Sequence, residues 1–145
     1  MSAAGAGLGR VFNVIAAASG VHIPLTRAEA VSFVTYEDDG STIATIKESI
    51  SGASEQALDC NVYPHKAPGV GGTWTAMAEQ DDTLDLGVSG DDATNDSMVF
   101  TVRGDQLSAG FNCVEVTVDG GICMAFVHDL NVQRKPSNLA SNIVA

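Results

Sequence analysis

The sequence is poor in cationic residues. Seven Lys and Arg stand against 18 Asp and Glu in 145 residues, which gives a formal net charge of -11. Proteins that bind nucleic acid hold its phosphates with clustered Lys and Arg, so this balance argues against DNA or RNA as a direct partner. A large surplus of acid also keeps a protein surface solvated and self-repelling.

Cysteine is scarce as well. The three cysteines are Cys60, Cys113 and Cys123, and no two of them form a CxxC pair. This argues against a disulfide scaffold. Cys113 and Cys123 lie on two apolar runs joined by the DGG of residues 119–121. If these runs form a hairpin, Cys123 faces Val116 or Val118, depending on the loop residues, and a Cys113–Cys123 bond is not expected. We predict small, buried, reduced thiols.

Long apolar runs are missing. A membrane helix needs roughly 20 apolar residues, and the best candidate, VFNVIAAASGV at 11–21, is shorter and interrupted by Asn13 and Ser19. The same stretch makes a poor signal peptide, because a single cation, Arg10, precedes it and its centre is weakly apolar. We therefore expect a protein that is made in the cytoplasm and has no membrane partner.

Motifs that define a reaction are also missing. The sequence contains no GxSxG elbow, and its glycine-rich pieces GAGLG and GVGG lack the preceding strand or the following Lys-Ser/Thr of a phosphate loop. The histidines are far apart in sequence, and Cys60 with His65 lacks the second pair of a zinc site. We predict a protein that is not an enzyme and that needs no cofactor.

Two weaker features suggest ligands. Asp91, Asp92 and Asp96 offer oxygen ligands for Ca²⁺ within DDATND, but this stretch lacks the spacing and distal Glu of an EF-hand. Solvated turns, in which Asp and Asn cap the local backbone, are the alternative. Trp74 and the two tyrosines suggest a sugar platform, which makes a carbohydrate- or receptor-binding module an alternative function. Core or rim packing is the more ordinary role of such side chains.

The residues that are present predict strands. AVSFVTYE at 30–37 is rich in β-branched and aromatic residues, DDGS turns the chain, and STIATIKESI at 41–50 returns it, which predicts a hairpin. In FNCVEVTVDG, valines alternate with Glu115 and Thr117, so the valines should share one face. A second predicted hairpin turns at 119–121 into ICMAFVHDLNVQR, where alternation places His128, Leu130 and Val132 on one face.

Turn clusters separate about eight short strands, and no long helical period is present. This pattern is typical of an antiparallel all-β sandwich or barrel. We predict a single domain at 13–133 between a flexible N-terminal arm at 1–12 and a C-terminal tail at 134–145. MVFTVRG at 98–104 does not alternate cleanly, which predicts a strand covered on both faces.

The acidic residues are confined to the body of the chain. All of them lie between Glu29 and Asp129, and the only charged residues after Asp129 are Arg134 and Lys135. Acid-free ends avoid electrostatic repulsion when a protein docks on an acidic neighbour. We therefore expect both ends to be contact segments.

Four stretches carry a family resemblance: SFVTYEDDGSTIATIKES, GTWT, VFTVRGDQLSAGFNCVEVTVDGG and VHDLNVQRKPSNL. They resemble small virion proteins of tailed bacteriophages, especially those that infect actinobacteria, of the capsid decoration or minor capsid type. The resemblance covers residues 30–140. It implies a virion protein that binds the outer surface of the head, stabilises the lattice of the phage major capsid protein and forms a homo-oligomer, with a trimer favoured.

Under this resemblance the two ends become candidate contacts with the capsid or with a sister subunit. The candidate contact residues are Arg10, Val11, Phe12, Arg134, Lys135, Pro136 and Leu139. A tail-tube or other tail structural protein is the nearest alternative. The pattern of short strands also resembles that of tail-tube subunits, which stack through β-sheets. Such subunits usually carry a long loop, for which residues 61–73 are a weak candidate.

Overall fold

The computed structural model describes residues 13–37, 43–59, 62–67, 73–76, 79, 81, 83–85, 97–132 and 141–144. Within these residues the chain forms strands and one short 3₁₀ helix, Gly104–Gln106, and it forms no α-helix. The predicted all-β class is confirmed. No helix in the described part of the chain is long and apolar enough to cross a membrane.

The described residues contain twelve strands. Their bounds are β1 Asn13–Ala16, β2 Val21–Pro24, β3 Ala28–Tyr36, β4 Ile43–Ile50, β5 Ala53–Ala57, β6 His65–Ala67, β7 Thr75–Ala76, β8 Thr83–Asp85, β9 Ser97–Arg103, β10 Cys113–Val118, β11 Ile122–Leu130 and β12 Ile143–Val144. The predicted arm at 1–12 lies outside the described residues. The predicted tail at 134–145 contributes β12, and its remaining residues also lie outside the description.

The strands form two antiparallel sheets. The first sheet has the order β1-β11-β3-β9-β6-β7, and the second has the order β12-β2-β10-β4-β5, with β8 also paired to β4. Both sheets bury the alternate residues that point toward one shared core and present the other residues on an outer face. This arrangement is the predicted antiparallel sandwich, with more and shorter strands than the sequence indicated.

The core lies between the inner faces of the two sheets. Phe33 and Phe100 are cross-strand partners at its centre and stack with ring centroids 5.2 Å apart, and such pairs add to the energy of apolar burial. From the second sheet, Ile46, Val114 and Val116 are fully buried in the same cluster. The predicted valine face of β10 is therefore its core face.

Both predicted long hairpins are wrong. β3 and β4 lie in different sheets, where β3 pairs with β9 and β11 while β4 pairs with β10. β10 and β11, which the DGG of 119–121 was expected to join as a hairpin, likewise lie in different sheets. The chain instead passes from one sheet to the other between β3 and β4 and between β10 and β11. Turn residues indicate where a strand ends and do not indicate its partner.

The structure explains why residues 119–121 cross between sheets. The Asp119 carboxylate accepts a hydrogen bond of 2.7 Å from the Ile43 backbone N–H, and the Asp119 N–H donates to the Ile43 carbonyl at 3.1 Å. These bonds hold the end of β10 on β4. Gly121 then adopts a φ of 73° and passes the Tyr36 carbonyl so closely that an added Cβ would lie 2.1 Å from its oxygen. Glycine alone fits this passage.

A genuine tight hairpin joins β4 and β5. Ser51 and Gly52 have φ values of 50° and 86°, and two consecutive positive φ values are the signature of the type I′ turn that suits a twisted hairpin. The strand that follows this turn, β5, has five residues, all of them exposed.

Two predictions about strand faces are wrong. β9 alternates cleanly, because Met98, Phe100 and Val102 are buried while its other residues are partly or fully exposed. On β11, His128 does not share a face with Leu130. Asp129 has a φ of 56°, after which Leu130 packs against the core, while His128 lies on the outer face. Asp adopts this left-handed conformation more readily than most residues.

The cysteine prediction is confirmed for the two cysteines that the structure describes. Cys113 and Cys123 are both buried and unbonded. They lie on strands of different sheets, and burial raises the pKa of the Cys123 thiol to about 12. Both thiols are therefore held in their protonated, unreactive form at neutral pH.

Candidate functional site

The outer face of the first sheet is apolar across four adjacent strands. Along β1, β11, β3 and β9, alternate residues point away from the core, and most of them are hydrophobic. They are Val14, Ala16, Val34, Tyr36, Val99, Ile122, Met124 and Phe126. We call this set the apolar face. Ile122 is 62% exposed, Tyr36 40% and Val14 38%, so the side chains at its edges stand in solvent.

Charged side chains lie at one end of this sheet face. There Arg103, 64% exposed, forms an ion pair with Asp105 at 3.0 Å, and Asp129 follows His128. The apolar face itself includes none of the 18 acidic residues. An uncharged apolar surface on a strongly acidic protein is where a protein partner can dock without desolvating charge.

A chain of hydrogen bonds crosses the same sheet beside the apolar face. The Asp129 carboxylate lies 2.7 Å from His128 Nδ1, His128 Nε2 lies 2.7 Å from Ser32 Oγ, and Ser32 Oγ lies 2.7 Å from Thr101 Oγ1. The connectivity from Asp129 through His128 to Ser32 is that of a hydrolase triad. The sequence signal for it was the adjacent His-Asp pair, and Ser32 had no signal at all.

The surroundings of Ser32 favour a structural role for this chain of bonds. Ser32 lies in the middle of β3, between β11 and β9, so the backbone N–H groups of its strand are committed to the neighbouring strands. A hydrolase needs free donors aimed at the developing oxyanion. Asp129 is also 70% exposed, where water weakens its hold on the imidazole. The array ties β3, β9 and β11 together on their outer side.

A second polar cluster lies on the outer face of the second sheet. His22 on β2 is 1% exposed and Glu115 on β10 is 2% exposed, and Glu115 lies on the face opposite the valines of β10, as alternation predicted. The Glu115 carboxylate accepts a hydrogen bond of 2.7 Å from the Gly20 N–H. His22 Nδ1 lies 2.9 Å from Ser49 Oγ. Periodicity placed Glu115 on the correct face and did not reveal that this face is covered.

Lys47 and Glu55 complete this cluster at its exposed side. Lys47 on β4 is the cross-strand partner of Glu115, and its Nζ lies 2.6 Å from Glu55 Oε1 on β5. The hydrogen bond and charge of Glu55 raise the pKa of Lys47, and the charge of Glu115 adds to this. His22, Glu115, Lys47 and Glu55 thus bring four titratable groups from four strands together.

A second buried carboxylate, Glu48, lies on the inner side of β4. Its oxygens accept hydrogen bonds from Gln56 Nε2 at 2.6 Å and from the Ser108 backbone N–H at 2.8 Å. Burial raises the pKa of Glu48, but the hydrogen bonds from Ser108 and Gln56 outweigh it, so the pKa is lowered overall. Glu48 fastens the connection between β9 and β10 to the sandwich.

A shallow groove of about 690 Å³ runs beside β9 and β6. Tyr63, His65, Thr101 and Arg103 are among its lining residues. The Tyr63 hydroxyl donates a hydrogen bond of 2.5 Å to Glu79, which raises the pKa of the phenol. Neither Trp74 nor Tyr36 lines the groove, so the structure does not gather the predicted aromatic platform there.

The residues that the sequence selected as contacts or ligands lie outside the described residues. They are Arg10, Val11, Phe12, Asp91, Asp92, Asp96, Arg134, Lys135, Pro136 and Leu139. Comparisons with known proteins found no matching family model, curated protein or solved structure. Function is therefore argued from the apolar face and the polar clusters.

Proposed function

We propose that this protein is a non-enzymatic decoration protein of a tailed bacteriophage capsid, which binds the outer surface of the head and stabilises the lattice of major capsid protein. The observation that carries the proposal is the apolar face, an uncharged surface on a protein with a net charge of -11. The resemblance of residues 30–140 to virion proteins supplies the identity of the partner. Binding in many copies adds interface energy to the assembled shell alone, which stabilises it by mass action.

The positions of the chain ends support docking through one side of the molecule. β1 is an edge strand of the first sheet and β12 is an edge strand of the second. The turn after β1 leads directly into β2, where the Val21 N–H donates to the Ala18 carbonyl at 3.1 Å, and Val21 is the partner of Val144 on β12. The first and last described strands therefore lie at the same side of the sandwich.

The apolar face extends to the side of the sandwich where β1 and β12 lie. Val14 on β1 belongs to the face, and residues 1–12, which carry no acid, directly precede that strand. A docking surface made of the apolar face and the N-terminal segment keeps the acidic body away from an acidic capsid. Contact between sister subunits at a three-fold position of the shell fits the same geometry.

The test is binding to undecorated, expanded capsids of the phage that encodes the chain. Sedimentation with increasing protein should show saturable binding, and cryo-EM of the particle should place the domain on the outer surface. Ile122→Glu puts a charge on the apolar face at a residue that is 62% exposed, and it should weaken binding at least about tenfold. Binding that does not saturate contradicts the proposal.

The matched control is Ile50→Glu. Ile50 is 42% exposed at the end of β4 on the second sheet, so the same change in charge and size falls away from the apolar face. We expect it to bind like the wild type. Equal loss in both variants would show a general effect of added acid and would remove the apolar face from the proposal.

Two other functions remain as outcomes of separate experiments. Deletion of residues 1–9 should weaken capsid binding and leave the fold intact, whereas assembly of the purified protein into long tubes would favour a tail-tube subunit. The groove with Tyr63 favours a carbohydrate-binding module as the second candidate, because aromatic side chains beside polar groups suit sugars. Saturable binding on a glycan array, lost in Tyr63→Ala, would support that reading.

A further inference from the structure

Three potential metal ligands from three strands converge on the outer face of the second sheet. One ligand atom from each of His22, Glu55 and Glu115 lies within 4.8 Å of the others. The three residues come from β2, β5 and β10, which are separated in sequence by turns and by whole strands. Their convergence therefore depends on the fold and not on a local motif.

The imidazole of His22 is oriented as a metal ligand is. Its Nδ1 faces Ser49 Oγ at 2.9 Å, and the same hydroxyl oxygen accepts a hydrogen bond of 3.3 Å from the Gly52 N–H. An Nδ1–H donated to Ser49 leaves the lone pair on Nε2, which points at Glu115. A ligating histidine usually donates its other ring N–H in this manner, which fixes both the tautomer and the ring plane.

The spacing between His22 and Glu115 suits an ion. Nε2 lies 3.6 Å from Glu115 Oε2, which is too long for a hydrogen bond. Two ligands at the usual 2.0–2.2 Å from a tetrahedral zinc ion are about 3.3 Å apart. The Gly20 N–H holds the carboxylate of Glu115 in place. Glu115 and His22 are thus two buried, oriented ligands at nearly the correct separation.

We propose that His22, Glu115 and Glu55 form a binding site for a divalent transition-metal ion, with zinc the best match. One imidazole and two carboxylates are ligands that zinc accepts, and three protein ligands leave a fourth position for water or for a group from a partner. The site does not depend on the capsid function, because it lies on the second sheet and the apolar face lies on the first.

Lys47 provides a positive charge beside the proposed metal site. Its Nζ contacts Glu55 at 2.6 Å, beside Glu115. A bound divalent ion replaces this ammonium as the partner of Glu55, and the side chain of Lys47, which is 37% exposed, turns outward. Glu55 is 36% exposed and lies on an edge strand, so it is free to rotate toward the ion. Metal binding thereby connects β5 to β2 across the sheet.

The test is a titration of the purified, full-length protein with zinc chloride. Calorimetry measures the binding, and the melting temperature of the protein is determined at each zinc concentration. Wild-type protein should bind one ion per chain, and its melting temperature should rise with zinc concentration, because the ion binds the folded state. Substitution with Co²⁺ should give visible d–d absorption of a tetrahedral site without thiolate charge-transfer bands. No saturable binding would overturn the proposal.

Glu55→Gln removes one ligand at an exposed position where the fold should tolerate it. It should lower zinc affinity at least about tenfold, with a matching loss of the thermal shift. Glu29→Gln makes the same change at another exposed carboxylate, on β3 of the other sheet, and should leave zinc binding unchanged. Equal affinity in Glu55→Gln and wild type would overturn the site.

Lys47→Gln gives a test in the opposite direction. It removes the competing cation from Glu55 and Glu115, so zinc affinity should increase, which a general loss of structure would not produce. His65→Ala removes an exposed histidine on the first sheet and should leave the affinity unchanged. Loss of zinc binding in His65→Ala, with none in Glu55→Gln, would assign the ion to an adventitious surface site and overturn the proposal.

Discussion

At the scale of single residues, the buried carboxylate of Glu48 makes the stability of the fold depend on pH. Glu48 is 1% exposed and accepts hydrogen bonds from both Gln56 and Ser108, so its charged form is favoured in the folded protein. A carboxyl group with a lowered folded pKa stabilises the fold above its unfolded pKa, and this contribution is lost as the pH falls through the folded value. Glu48 thus contributes fully above its ordinary pKa of 4.5.

Replacement of Glu48 by Gln should make this effect measurable. At neutral pH we expect a loss of about 1–3 kcal/mol, because hydrogen bonds to a buried charged group are lost or weakened. Below pH 4.5 the difference between wild type and variant should shrink. Chemical denaturation at a series of pH values measures it, with Glu29→Gln as the control. A constant difference down to the lowest pH would contradict the assigned role.

For β10, the sequence correctly predicted which face of the strand each residue occupies. It did not predict that the face opposite the core is also buried. Val114 and Val116 were placed on the core face of β10, and Glu115 on the opposite face, as the structure has them. The burial of Glu115 depends on β2 and on the turn after Ala16, which are far away in sequence. Alternation reports which side of a strand a residue faces and carries no information about what covers that side.

At the scale of elements, the turns are the points where the prediction diverged from the structure. The short β4–β5 hairpin is defined by two adjacent positive φ values at Ser51 and Gly52, which is a local property. The connections after β3 and β10 were read as hairpins from the same turn chemistry, yet both carry the chain to the opposite sheet. Strand pairing is decided by the shared core, so local turn residues cannot predict it.

A substitution at Gly121 tests how much the close approach of this residue to β3 contributes to stability. Gly121→Ala should destabilise the protein by more than about 3 kcal/mol, because the new methyl group would meet the Tyr36 carbonyl in addition to the cost of a positive φ. Gly110 has a φ of 87° and open space around its Cβ position. Gly110→Ala should therefore cost only about 1 kcal/mol. Urea denaturation compares the two, and equal losses would show that the close approach is unimportant.

At the scale of the whole molecule, the sandwich protects the Cys123 thiol only while the two sheets stay together. Cys123 is 3% exposed on β11 and belongs to the core between the sheets, and burial raises the pKa of its thiol to about 12. Cys113 is 0% exposed but lies on the outer side of β10 with Glu115. Reaction of Cys123 therefore requires opening of the sandwich, whereas reaction of Cys113 does not require the sheets to separate.

A variant with Cys60→Ser isolates these two thiols. Under native conditions at pH 8 we expect Cys123 to react with a disulfide reagent at the rate of unfolding, and this rate should rise with denaturant. Ile46→Ala, which opens a cavity in the core, should accelerate the reaction of Cys123, whereas the exposed Ile50→Ala should not. Rapid labelling of Cys123 in the native protein would contradict this protection.

The crossing connections also set when the protein can fold during synthesis. The strand partners of β3 are β9 and β11, and the partners of β2 are β10 and β12, so β2 and β3 find their neighbours only in the last third of the chain. During synthesis, β3 cannot pair with both of its neighbours until β11 has left the ribosome. Contacts of such long sequence separation are slow to form, and until then the hydrophobic strands of the first half are exposed to chaperones and to one another. Arrest of synthesis before Ile122 should consequently yield an aggregation-prone chain and no folded half.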